Sequence, residues 1–144
     1  MHEPVYALRP TIKARRSLAT GLLALPAWDL AATPATGNQD PDWTVGLKLV
    51  LDQEGRYLVD DVVRLRGNYK TVRETILSVA RSDGRDVVIS LPIDPGQAGK
   101  SQISELTLLL AGYRIVISRE RGSKLSRAAL AATQIEAGNV AVLE

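Results

Sequence analysis

Cysteine is absent from this chain of 144 residues, and so is phenylalanine. Without thiols there is no disulfide scaffold, no thiolate metal site and no cysteine nucleophile, a composition that fits a reducing compartment. Without phenylalanine, a core has to be built from Val, Ile, Leu and Ala. Histidine occurs once, at His2. A Ser-His-Asp arrangement would therefore draw its base from the N-terminal segment, and a zinc site lacks its usual nitrogen and sulfur ligands. No apolar run approaches the roughly 20 residues of a membrane span.

What is present describes a soluble globular domain. Hydrophobic residues make up 45% and charged residues 24%, ordinary values for such a chain. A domain of this size buries about 70% of the surface its unfolded chain exposes, so it folds without a staple. The formal net charge of +2 is unevenly spread. Arg9, Lys13, Arg15 and Arg16 face only Glu3 in residues 1–24, residues 25–67 are acidic, and the remainder is mildly basic. That balance is compatible with nucleic acid without selecting it. Arg15-Arg16, followed by an apolar stretch ending in Leu25-Pro26-Ala27, imitates a twin-arginine export signal. A basic linker entering a buried strand is the preferred reading, because cleavage there would destroy the strand to which Trp28 and Asp29 belong.

Residues 1–24 read as a lead-in broken by Pro4 and Pro10, and residues 25–144 as one domain. An apolar run over 25–32 is interrupted by Asp29, and a Pro/Gly/Asn/Asp-rich loop covers 33–42. Alternation predicts strands over 43–51 and 57–65, joined as a hairpin by Asp52-Gln53-Glu54-Gly55. Asn68 caps a helix predicted over 69–81, and Asp83-Gly84 ends it. Residues 86–93 form an apolar strand expected to be central and covered on both faces. A helix over 100–111, a strand over 113–118, a helix over 124–137 and a strand over 140–143 complete the order. A hairpin followed by βα repeats implies an α/β fold with a mixed sheet and helices on its faces.

Two aspartates stand out. Asp29 interrupts an apolar strand, where a carboxylate is costly to bury unless it is paired or binds a metal; the plainer alternative is a strand-end Asp on an exposed face. Asp94 follows the most apolar strand, and ligands of open α/β sheets gather beyond the carboxyl ends of strands. Asp94-Pro95-Gly96 is also simply a good turn. Gly96-Gln97-Ala98-Gly99-Lys100-Ser101 lies where a P-loop would, but it has two residues between its glycines where that motif needs four. A helix start beside Lys100 still favours an anion such as a DNA phosphate. What is left is oxygen chemistry: carboxylates with Mg²⁺ or Mn²⁺, which normally takes three or more acids when two ions act on a phosphodiester.

Trp28-Asp29-Leu30-Ala31-Ala32-Thr33, then Asp40-Pro41-Asp42-Trp43-Thr44-Val45-Gly46, then Asp94-Pro95-Gly96-Gln97-Ala98-Gly99-Lys100-Ser101-Gln102 occur in order. Gly122-Ser123-Lys124, Arg127-Ala128 and Glu136-Ala137-Gly138-Asn139-Val140 follow. This series, spread over residues 27–143, resembles the C-terminal nuclease domain of phage terminase large subunits. The resemblance implies an RNase H-like fold, metal-dependent cutting of double-stranded DNA during genome packaging, partners among other packaging proteins, and the cytoplasm of a bacterial host carrying a prophage. By it, Asp29 and Asp94 are the catalytic metal ligands. Lys100, Lys124 and Arg127 are nucleic-acid-binding candidates, and the alternative for Lys124 and Arg127 is ordinary helix-surface charge. The family's motor domain has no counterpart in residues 1–24, and Pro92 stands where members often carry an acid. The family's third acid is expected beyond the last strand, after Glu144. The expectations are therefore weak or no cleavage by this chain, and, as the alternative function, an inactive prophage remnant that binds DNA or protein.

Overall fold

The computed structural model describes residues 23–31, 42–93, 97–119 and 122–142. Strands β1 (Leu23–Asp29), β2 (Thr44–Leu51) and β3 (Tyr57–Leu65) pair antiparallel in sequence order. The β2–β3 turn is held by Asp52, whose Oδ1 accepts the backbone N–H groups of Glu54 at 2.9 Å and Arg56 at 2.8 Å. The Arg56 Nε donates to its Oδ2 at 2.8 Å. Helix α1 (Tyr69–Asp83) starts at Asn68, whose Oδ1 accepts from the Thr71 N–H at 3.0 Å, and stops at Gly84, where φ is +90°. Then follow β4 (Val88–Ile93), α2 (Gln97–Leu109), β5 (Arg114–Arg119), α3 (Lys124–Glu136) and β6 (Val140–Val142).

The strands form one mixed sheet in the order β5-β4-β1-β2-β3-β6. β4 pairs parallel with both β1 and β5, and β6 pairs parallel with β3. Trp28, Ile89 and Leu91 on the sheet meet Val72, Ile76 and Ala80 of α1, Ile103 and Leu106 of α2 and Leu110 just past its end in one buried cluster. α1 and α2 therefore cover the same face. α3 packs near β6 but buries none of its residues, and its Leu125 and Leu130 stand exposed.

Three differences from the sequence reading have local causes. β1 ends at Asp29 rather than at residue 32, because the Thr44 side chain takes over the pairing of Ala31, as described below. α1 runs on to Asp83, whose carboxylate receives the Lys48 Nζ at 2.7 Å. β4 is interior to the sheet, but its two faces differ. Ile89 and Leu91 are buried, whereas Val88, Ser90 and Pro92 on the opposite side are only half-buried, since α1 and α2 share one face.

Candidate metal centre and nucleic-acid edge

Strand directions decide what can meet. β1, β3, β4, β5 and β6 run the same way, and β2 opposes them. The carboxyl ends of β1 and β4 therefore share one edge of the sheet with the start of β2 and the end of β3. α1, α2 and α3 each follow a strand that ends at this edge, so their N-termini lie there too. Open α/β sheets bind ligands at such an edge.

Asp29 is the last residue of β1 and is exposed, so its charge bears no burial cost of the kind a mid-strand carboxylate would. Its direction is set by its neighbours. Trp28 is 5% exposed in the core, and Leu30 packs against the same cluster, so alternation turns Asp29 to the other face. Trp28 pairs with Gly46 across the β1–β2 ladder, and a Cβ at Gly46 would lie 2.8 Å from the indole ring. Only glycine leaves room for the ring to lie over β2. Beyond Asp29, the Thr44 Oγ1 accepts the Ala31 N–H at 3.0 Å and donates to the Ala31 carbonyl at 3.3 Å. Thr44 is itself 1% exposed, which makes it a fixed clamp on the segment that leaves Asp29.

On the neighbouring strand, Ala27 pairs with Ser90, so two residues further along Asp29 stands abreast of Pro92. Asp94 follows directly on β4 but lies outside the described residues. Among the described residues, no group of three or more His, Cys, Asp or Glu side chains could hold a metal ion.

The predicted basic residues differ in role. Lys100 is exposed in the first turn of α2, which begins at Gln97, so Lys100 and Ser101 are helical rather than part of a phosphate-wrapping loop. Lys124 is exposed at the start of α3. Arg127 is half-buried and donates from Nη1 to the Gly122 carbonyl at 3.1 Å, which braces the approach to α3.

The sequence reading missed Trp43, Arg64, Arg66 and Arg119. The guanidinium carbons of Arg64 and Arg66 lie 4.4 and 4.3 Å from the centroid of the Trp43 ring. Arg119, exposed at the end of β5, pairs with Ile93, the residue before Asp94. One signal was available: Arg64 and Arg66 are two apart at a strand end, so they share a face.

Helices on a mixed sheet with this strand order define an RNase H-like fold, and comparison with solved structures agrees. The large terminase nuclease of thermophilic phage G20c, solved with bound magnesium, superposes with a TM-score of 0.61 at 14% identity, covering 92% of this chain and 68% of that one. The same nuclease with bound zinc gives 0.59 at 16%, covering 92% and 74%. The Fowlpox virus resolvase in complex with Holliday junction DNA gives 0.49 at 8%, covering 78% and 72%. No curated protein sequence matches. The model of the Terminase RNaseH-like domain family matches residues 26–144, and the chain belongs to that family.

Proposed function

We propose that this domain hydrolyses phosphodiester bonds of double-stranded DNA, with divalent metal, during phage genome packaging. The carrying observation is the placement of Asp29: an exposed carboxylate that closes β1 beside β4, in a chain of the terminase RNaseH-like family. Asp29 and Asp94 would hold Mg²⁺ or Mn²⁺, hard cations that take oxygen ligands. An exposed, all-oxygen donor at a strand end fits such an ion, and the G20c nuclease solved with magnesium and with zinc supports divalent binding at this fold. When bound, the ion supplies Lewis acidity toward a phosphoryl oxygen.

The chain's own residues orient and attract. Trp28, Leu30 and Thr44 hold β1 and its exit so that Asp29 faces outward. Lys100 and Lys124 add positive charge at the edge where a polyanion would lie, and Arg127 braces the segment before α3. The proposed compartment is the cytoplasm of a bacterial host, and the proposed partners beyond DNA are other packaging proteins. No helix among the described residues is long and apolar enough to cross a membrane.

Two measurements test this reading. The chain should nick supercoiled plasmid slowly in Mn²⁺, and Asp29→Asn should abolish the nicking. By calorimetry, Asp29→Asn and Asp94→Asn should each weaken Mn²⁺ binding about tenfold or more. Unchanged Mn²⁺ affinity in both variants would remove the site assignment. DNA binding with no cleavage in any divalent ion would leave a binding module in place of a nuclease.

A further inference from the structure

We propose that Arg64, stacked with Arg66 on Trp43, anchors a backbone phosphate of duplex DNA on the same sheet face as Asp29. The inference rests on the nuclease reading and adds to it a contact outside the carboxylate site.

Register places the two residues in line. Asp29 pairs with Val45, and Val45 pairs with Arg64, so the three lie across β1, β2 and β3 in one row. Directly paired residues of antiparallel strands point to the same face. Arg64 therefore projects from the Asp29 face, about 10 Å away at two strand spacings. That separation corresponds to about three base-pair steps along a duplex.

The chemistry of the stack favours a phosphate. Trp43 is 42% exposed, a large aromatic left at the rim of the proposed site, and two guanidiniums lie against it. A stacked guanidinium engages the ring with its plane and keeps its N–H edge for a planar or tetrahedral anion. Lys48, Arg56 and Arg73 each face a carboxylate. Among the described residues Arg64 makes no ion pair, and it is exposed. The ring fixes the side chain before DNA arrives, which lowers the ordering cost of a contact made by a long flexible residue. Phosphate contacts of this kind set register on the duplex without reading its sequence.

The test is fluorescence anisotropy of a labelled short duplex with the full chain in EDTA, across a salt series. Arg64→Gln should weaken binding about fivefold and reduce the slope of log K against log salt by about one. Trp43→Leu should weaken binding while both arginines remain, and Arg64→Lys should recover only part of the loss. Arg64 is exposed, so Arg64→Gln should keep the wild-type melting temperature, which separates lost contact from lost fold. Wild-type affinity and slope in both Arg64→Gln and Trp43→Leu would overturn the anchor while leaving the nuclease reading intact. A wild-type chain with no salt-dependent DNA binding would overturn the anchor, and nicking in Mn²⁺ would still decide the nuclease reading separately.

Discussion

A methyl group at Gly46 would lie 2.8 Å from the Trp28 ring, closer than carbon atoms approach without displacement. The ring is 5% exposed and wedged against helices, so it has no free direction in which to move. Gly46→Ala is therefore expected to cost about 1–3 kcal/mol in urea unfolding, as overpacked cores do. Because Trp28 precedes Asp29, the same variant should also weaken Mn²⁺ binding at the proposed site. Asp29 itself was legible in the sequence as a charge interrupting an apolar run. Its exposure was not, because a strand-end and a mid-strand aspartate look alike until the partner strand shows where pairing stops. Thr44 makes that decision here. A buried threonine at a strand start has no sequence signature that separates it from an ordinary β-former.

Among the elements, the β2–β3 hairpin depends on one carboxylate. The Arg56 backbone N–H holds the Asp52 carboxyl below its usual range; burial opposes this, and the Arg56 side chain and the Glu54 N–H add to it. A carboxyl with a depressed folded pKa stabilises above its unfolded value and loses that contribution as pH falls through the folded value. Asp52→Ala should thus melt below the wild type at pH 7, and the gap should close as pH drops below about 4, the unfolded carboxylate range. Thermal melts at several pH values would check it, and a gap that stays constant with pH would contradict it. The hairpin, the Asn68 cap and the helix types were all legible, since turn and cap chemistry act over a few residues. The Asp83-Gly84 stop of α1 was legible for the same reason, whereas the start of α2 at Gln97 was not.

Across the whole molecule, Lys48 joins the sheet to its covering helix. It meets Asp60 at 3.1 Å beside a β-bulge and Asp83 at 2.7 Å at the end of α1. Burial alone would lower the Lys48 pKa, but hydrogen bonds from its ammonium to Asp83 and Asp60 outweigh it and raise the value. Its stabilising contribution is accordingly present below the ordinary lysine pKa and is lost only as pH rises through the raised one. Lys48→Met leaves Asp83 unpaired at 11% exposure, with its Oδ2 already lacking a hydrogen-bond partner. The expected loss is about 1–3 kcal/mol in chemical denaturation at neutral pH. A neutral result would show that the pair is screened by solvent.

The sequence by itself determined the kinds of elements and their order, because alternation, helical spacing, caps and turn residues act on neighbours along the chain. It also supplied the ordered motifs around Asp29 and Asp94 on which the resemblance to terminase nucleases rests. Only the tertiary structure decided that α1 and α2 share one sheet face, that Asp29 is exposed and that Arg64 stands in its row beside Trp43. Those facts follow from strand register, including a bulge at Lys48, and from connections that bring distant segments to one edge. Pairing between strands is a non-local choice, and local residue type does not encode which partner a strand will take.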